Sequence, residues 1–429
     1  AIFKQISQLT EYSSKHPLQL IFVGAPFRLN NELFNCAVAI NRGKVVGIVP
    51  KQHIPNYNEF YEGRHFRAAD GNESKQVSLF FQNESVPFGI DLIFRIGDIG
   101  VMVEICEDMW MPIPPSSYAA IAGAQILVNL SASNETVAKC EYRRNLVAQQ
   151  SGRCMSAYVY ASAGPTESTS DLVFGGHCLI AENSHILVES RRVGDGKPVE
   201  RGSYFITTEV DVDRLQNERR LTTSFGDAAR HSTKTYRQIG IMLLMEEIPK
   251  RLIRRLNGRP FVPQDETTLS ERCAEIFGIQ VAGLAKRLER VGSLNIGVSG
   301  GLDSTLALLV ATKAVNLLGL SPTNIKAVTM PGFGTTNKTK SNALKLMEQL
   351  GVQSETIDIR RACLQTFKDI NHKPFGIDLT QCWDGHELHV DRFEELLKEA
   401  DHSQGDLVFE NVQARQRTYI LMNRGFVLG

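Results

Sequence analysis

The chain has 429 residues, 42% apolar and 22% charged, with 47 lysines and arginines set against 47 aspartates and glutamates. At roughly 150 residues per domain, that length predicts two or three domains, each able to bury a core. Zero formal charge leaves no global field to hold a nucleic acid or an anionic membrane, the composition excludes disordered and coiled-coil chains, and no apolar run reaches the ~18 residues of a membrane span.

In chain order, residues 18–23 read as a strand. Residues 37–40 and 45–49 flank Asn41-Arg42-Gly43-Lys44, and residues 92–96 and 101–105 flank Gly97-Asp98-Ile99-Gly100, two hairpin signals. The apolar run 126–130 predicts a buried central strand, and 136–150 a helix after it. Between 241 and 266 a basic amphipathic piece gives way to Asn257-Gly258-Arg259-Pro260-Phe261-Val262-Pro263, which cannot continue a helix and is taken as the linker. Beyond it, helix 268–288, strand 294–298, helix 304–318, strand 325–329, helix 339–350 and strand 356–359 predict a doubly wound parallel sheet. The expected domains are thus 1–240 and 267–429, joined by 241–266. Eight cysteines without paired spacing, and no charged-then-apolar leader, point to a reducing cytoplasm.

The first strand of the second half runs into a helix through Gly297-Val298-Ser299-Gly300-Gly301-Leu302-Asp303-Ser304. Adjacent glycines permit close approach of a ligand, serine hydroxyls add donors, and the helix start supplies free amides, so the turn suits a pyrophosphate. The lysine of a Walker A loop is absent. The alternative is a capped helix after a glycine turn.

The run Ser299 to Ser304 resembles the signature of the PP-loop ATP pyrophosphatases, Rossmann-like enzymes that adenylate an acyl oxygen. That resemblance implies ATP contacts at residues 297 to 304 and Mg²⁺ held at Asp303, a hard cation suited to carboxylate and phosphate oxygens. Met330-Pro331-Gly332-Phe333-Gly334-Thr335-Thr336 and Glu410-Asn411-Val412-Gln413-Ala414-Arg415-Gln416-Arg417 narrow the resemblance to NAD⁺ synthetases. There the first segment, with Met330, borders adenine and the second, through Asn411 and Arg415, the dinucleotide acid.

In the first half, the strand 101–105 delivers Cys106 at its end, followed by Glu107-Asp108-Met109-Trp110, and Lys51 stands one residue past 45–49. A cysteine at the mouth of a sheet becomes a nucleophile where a cation stabilises its thiolate, whereas one inside a strand is a small hydrophobe. Lys51 is followed by Pro55, Tyr57, Glu59, Phe60, Tyr61 and Glu62. Together these segments resemble the nitrilase superfamily, four-layer αββα sandwiches with a Glu-Lys-Cys triad, and specifically the glutaminase domain of glutamine-dependent NAD⁺ synthetases.

The resemblance implies that Cys106 attacks the glutamine carboxamide, Lys51 assists the oxyanion, Glu59 orients the lysine or the attacking group, and Tyr57, Glu107, Ser133 and Lys139 bind glutamine. It places the family's general-base glutamate on a strand well upstream of the lysine. Glu11 and Glu32 do not fit that place, so the chain is expected to be cut at its start, and likewise beyond Gly429; internal gaps near 69–74 and 193–197 are left open. The implied function is ATP-dependent amidation of deamido-NAD⁺ to NAD⁺ with ammonia from glutamine, releasing AMP, pyrophosphate and glutamate. Its partners are these small molecules and further copies of the chain, with neither nucleic acid nor membrane. The alternatives are another PP-loop amidotransferase, whose glutaminase motifs the chain lacks, and a catalytically incomplete nucleotide-binding fragment.

Overall fold

A computed structural model describes residues 2–167, 172–192, 203–242, 252–254, 256–263, 265–403 and 405–424. The gap left open at 193–197 and most of 241–251 lie outside the described residues. The chain forms two compact units, Ala1–Leu256 and Asn257–Gly429.

The first unit opens with helix α1 (Ile2–Lys15) and strands β1 (Leu20–Leu29), β2 (Glu32–Asn41), β3 (Lys44–Pro50), β4 (Lys75–Leu79) and β5 (Gln82–Phe88), paired in one sheet in the order β1-β2-β3-β5-β4. The hairpin signal at Asn41-Arg42-Gly43-Lys44 is realised: Asn41 pairs with Lys44, and both central residues, Arg42 at φ 47° and Gly43 at φ 82°, take the left-handed backbone of a type I′ turn. Then follow β6 (Leu92–Ile96), β7 (Ile99–Ile105), α2 (Pro115–Ile121), β8 (Ile126–Ser131), α3 (Lys139–Arg153), β9 (Ala157–Ser162), β10 (Leu179–Glu182), β11 (His185–Glu189), α4 (Val212–Leu221), α5 (Thr223–His231) and β12 (Arg237–Gly240). The second sheet runs β11-β10-β9-β8-β7-β6-β12, with β7, β8 and β9 parallel.

The layers follow from the burial pattern. Ile6 of α1 packs on Phe27, Phe34 and Ile48 on the outer face of the first sheet. Ala37, Ala39 and Val49 of that sheet meet Phe94, Val101, Val103 and Ile105 of the second. On its far side, Met102, Leu127 and Tyr158 pack on Ala119 and Ala120 of α2 and Val147 of α3. This is the expected αββα sandwich, and it explains why β7 reads as one apolar run: it is covered on both faces. The helix expected over 136–150 begins three residues later, because Ala138 takes a left-handed φ of 65° that no helix interior admits. Lys139 is therefore its first residue.

The second unit contains α6 (Glu266–Val291), β13 (Leu294–Gly297), α7 (Leu302–Leu317), β14 (Ile325–Thr329), α8 (Asn337–Gln349), β15 (Gln353–Thr356), α9 (Arg360–Asp369), α10 (Val390–Glu399) and α11 (Leu407–Met422). The three strands are parallel in the order β13-β14-β15. Residues of α6, α7 and α8 cover one face, and those of α9, α10 and α11 form a core with Val328 and Met330 on the other. Both faces are thus covered as a doubly wound sheet requires, and the described strands wind in one direction only. The last strand lies earlier than the expected 356–359. Thr356-Ile357-Asp358-Ile359 alternates like a strand and still runs beside the continuation of β14, with the amides of Ile357 and Ile359 donating to the carbonyls of Thr329 and Pro331, though only Thr356 is counted in the strand.

Candidate functional sites

Cys106 follows the last residue of β7 and opens a short 3₁₀ turn, Cys106–Trp110, with φ at 49°. A left-handed backbone at a residue other than glycine costs on the order of 1–3 kcal/mol and persists only where the surroundings enforce it. Asn129 of β8 enforces it: its Oδ1 accepts from the Cys106 amide at 3.2 Å, and its Nδ2 donates to the Cys106 carbonyl at 3.4 Å. Asp108, 1% exposed, joins the ends of two strands. Its Oδ2 accepts from the Ile105 amide at 3.0 Å, while its Oδ1 accepts from the His53 amide at 2.9 Å and lies 2.9 Å from His53 Nδ1. Sequence reasoning passed over Asp108; its signal was an acid placed two residues after the nucleophile in a tight turn. The His53 ring is thereby engaged structurally.

Lys51 leaves β3 beside this bridge and is 2% exposed. Its Nζ lies 2.5 Å from Glu62 Oε2, and Glu62 Oε1 accepts from Asn35 Nδ2 at 2.6 Å. The expectation that Glu59 orients this lysine is corrected at this point. The 3₁₀ turn Glu62–Arg64 carries Glu62 back to Asn35 and hence to the lysine. Glu59 instead accepts from Asn134 Nδ2, and Asn134 Oδ1 accepts from Lys139 Nζ.

Glu59 and Cys106 line a cleft of about 430 Å³ together with Tyr57, Glu107, Ser133 and Lys139. The structure thus gathers the candidate residues of the first half in the lining except Lys51. The Tyr57 hydroxyl donates to Glu107 Oε1 at 2.8 Å, and burial, then this carboxylate, push the phenol up to about 12. Lys139 Nζ stands 5.3 Å from the Trp110 ring centre and 5.7 Å from that of Phe60. Burial, then the Arg143 guanidinium, hold its ammonium below the usual lysine range. Arg143, fully buried on α3, escaped sequence reasoning because nothing marks it off from a solvated helix charge. Its Nη2 donates to Ser133 Oγ at 3.2 Å and to the Asn134 carbonyl at 3.3 Å, and its Nη1 pairs with Glu135 at 3.3 Å. It fixes the loop that carries Ser133 and Asn134.

The second site surrounds the turn after β13. Gly300 has φ 86°, and a Cβ there would stand 2.2 Å from the Thr339 carbonyl oxygen of α8, so only glycine fits. Ser304 Oγ accepts from the Ser299 amide at 3.2 Å and lies 3.1 Å from Ser299 Oγ, closing the turn on itself. A cleft of about 550 Å³ opens over it, lined by Gly297, Val298, Ser299, Gly301 and Met330 and, from α11, by Glu410, Gln413 and Arg417. These three positions recur at helical spacing on one face. Gln413 Oε1 accepts from the Phe333 amide at 2.9 Å, and Arg417 Nε donates to the Met330 carbonyl at 3.1 Å, tying α11 to the loop after β14.

Gly300 and Ser304 support the turn rather than line this cleft, and Leu302 is 89% exposed. Asp303, in the first turn of α7, borders a neighbouring hollow with Arg287. Asn411 and Arg415 are exposed on α11 and do not line the cleft; Gln413 and Arg417 do. All eight cysteines are free. Among the described residues no helix is long and apolar enough to cross a membrane.

Residues 4–220 match the carbon–nitrogen hydrolase family and residues 280–382 the NAD synthase family. The chain is 40% identical over 425 residues to the glutamine-dependent NAD(+) synthetase of Mycobacterium tuberculosis, covering 96% of this chain and 58% of that protein. Against that of Mycobacterium leprae it is 39% identical over the same length. A solved glutamine-dependent NAD⁺ synthetase of Acinetobacter baumannii, in complex with ADP, superposes at a TM-score of 0.39 with 20% identity, covering 98% of this chain and 61% of that one. The chain thus spans under two thirds of the length of these relatives.

Proposed function

The chain belongs to the carbon–nitrogen hydrolase family, and from that premise we propose that it acts within a glutamine-dependent NAD⁺ synthetase, residues 1–240 as glutaminase and 267–429 as synthetase, joined by 241–266. The observation that carries this reading is the charge pattern of the cysteine cleft. A free amino acid brings an ammonium and a carboxylate, and around Cys106 the cleft offers Glu107 for the one and Lys139 for the other.

In this reading Cys106 Sγ attacks the carboxamide carbon of glutamine and Lys51 supports the oxyanion. On collapse the amide nitrogen takes the thiol proton and leaves as ammonia, and water hydrolyses the thioester to glutamate and the free thiol. Glu59, in the cleft wall, is the carboxylate placed to hold a proton in transit. At the second site ATP would rest on the turn Ser299 to Gly301, and the nicotinate carboxylate of deamido-NAD⁺ would enter the same cleft, attack the α-phosphorus and release pyrophosphate, with Asn411 and Arg415 left to meet parts of the dinucleotide outside it. Ammonia then displaces AMP to leave the nicotinamide.

No group of three or more acids, histidines or cysteines is placed to cage a metal among the described residues. Asp303, in the first turn of α7, would supply a carboxylate to Mg²⁺, a cation that keeps water and nucleotide phosphates among its ligands, and the ion would offset phosphate charge. Cytoplasmic residence and a homo-oligomeric state belong to the same reading. The test supplies deamido-NAD⁺ and Mg-ATP with either glutamine or ammonium and measures NAD⁺ and AMP. Equal amounts of both products from each nitrogen source are expected. Product from ammonium alone would remove the glutaminase half, and none from either would overturn the reading.

A further inference from the structure

Behind the cysteine, on the face of the second sheet that α2 and α3 cover, a run of buried polar side chains plays no part in the chemistry above. Glu104, two residues before Cys106 on β7, is 2% exposed and accepts from the Tyr158 hydroxyl of β9 at 2.5 Å and from the amide and hydroxyl of Ser116 on α2 at 2.9 and 3.0 Å. The Tyr158 hydroxyl also lies near the Asn129 side chain, and Asn129 brackets the amide and carbonyl of Cys106. Tyr158 and Asn129 are both fully buried. The parallel register makes this possible: Asn129 pairs with Glu104 on one side and Tyr160 on the other, so β8 carries the amide between the nucleophile strand and β9.

A buried polar group without a partner is costly, so a chain of them on an otherwise apolar face needs a reason. Packing alone would be met by leucine and phenylalanine at these places. The feature this chain does serve is local: Cys106 is the one residue at the mouth of β7 with a left-handed backbone, and both of its peptide groups end on one amide.

We infer that Asn129, packed beside the Tyr158 that Glu104 holds, is a positioning residue for the nucleophile, its two hydrogen bonds to the Cys106 peptide groups fixing the backbone that aims Sγ into the cleft. The inference rests on the glutaminase reading of that cleft. Asn129 touches no substrate; it sets where the sulfur stands, and a displacement of about 1 Å at a reacting atom is enough to cost on the order of 100-fold in rate.

The test is steady-state glutamate release by the full chain. Asn129→Leu, close in shape but without polar atoms, is expected to lower kcat about 30- to 100-fold while KM for glutamine stays within about threefold. Asn129→Asp keeps an acceptor for the Cys106 amide and is expected to recover to within about fivefold of the parent. Tyr158→Phe removes only the hydroxyl and is expected to lower kcat about 3- to 10-fold at unchanged KM.

A folded Asn129→Leu protein with unchanged kcat, or one altered only in KM, overturns the inference. Should that variant not fold, Tyr158→Phe decides, and an unchanged kcat there overturns it equally. Cys106→Ala, measured in parallel, separates the two levels: continued glutamate release in that variant sinks the glutaminase reading itself, whereas its loss beside an unaffected Asn129→Leu sinks only the positioning role.

Discussion

The cysteine cleft draws its working groups from segments as distant as Asn35 and Arg143, each delivered by a different strand end, turn or helix. The phosphate turn is instead one consecutive run, Gly297 to Gly301 closed by Ser304, whose expected ligands are backbone amides and hydroxyls. The two constructions fail differently. A site of converging side chains depends on buried partners behind it and is broken by leaving one of them unpaired. A site of backbone amides depends on the absence of side-chain atoms and is broken by adding one.

The largest effect expected separates the two chemistries outright. Cys106→Ala should lower glutamine-supported NAD⁺ synthesis by about 1000-fold or more while leaving ammonium-supported synthesis within about twofold. Loss of both, measured as NAD⁺ from each nitrogen source, would mean that Cys106 holds the fold and that the division into two sites is wrong.

Gly300→Ala tests the backbone site in the opposite sense. The added Cβ meets the Thr339 carbonyl at 2.2 Å and must also adopt a left-handed φ, so the turn or α8 has to shift. Synthesis from either nitrogen source should fall about 100-fold, with glutamate release intact. Full synthesis in this variant would show that the turn does not need its present shape.

Lys51→Met bears on the side-chain site. It strands the Glu62 carboxylate and deletes a cation that is 2% exposed. Breaking a buried pair costs about 3–5 kcal/mol, and because Glu62 is 18% open to solvent the lower end, about 3 kcal/mol, is expected. The double variant Lys51→Met/Glu62→Gln should regain part of the stability and none of the glutaminase turnover. Urea unfolding and glutamate release check the two halves, and a single variant as stable as the parent would mean the pair is solvated.

The same contrast explains what could be read before the fold was known. The phosphate turn was legible because glycine, serine and aspartate at fixed offsets after a strand are a local pattern with a local cause. Cys106, Lys51 and Glu59 were found through motifs, and the four-layer sandwich through the same resemblance. The side chains that hold Cys106 and Lys51 were not legible. Asp108, Glu62, Asn129 and Arg143 matter because of partners 11 or more residues away or because of a backbone they brace, and no spacing rule reports such a pairing. On α11, which positions line the cleft over the turn, Gln413 and Arg417 and not Asn411 and Arg415, depends on helix phase, which is set by packing against the loop after β14.

The smallest effect expected concerns Glu104, whose burial raises its carboxyl to about 7 from a usual 4.5, against the opposing hydrogen bonds from Tyr158 and Ser116 and with a further upward push from Asp108. Below pH 4.5 the folded and unfolded chains both hold this proton, and stability is unaffected. As pH rises from 4.5 to 7 the unfolded chain ionises first, so stability falls through that window and levels off above it. Between pH 5 and pH 8 the loss amounts to about 2.5 kcal/mol for such a shift. Glu104→Gln cannot ionise, so its unfolding free energy should be flatter over that range by this amount in urea titrations at the two pH values. Parallel curves for parent and variant would mean that the Tyr158 and Ser116 donors outweigh burial and keep the carboxylate charged throughout. That result would leave Asn129 and Cys106 anchored to a fixed buried anion. The expected one would tie the cysteine site to a group that titrates near neutrality, whereas the phosphate turn rests on amides and hydroxyls that do not titrate in this range.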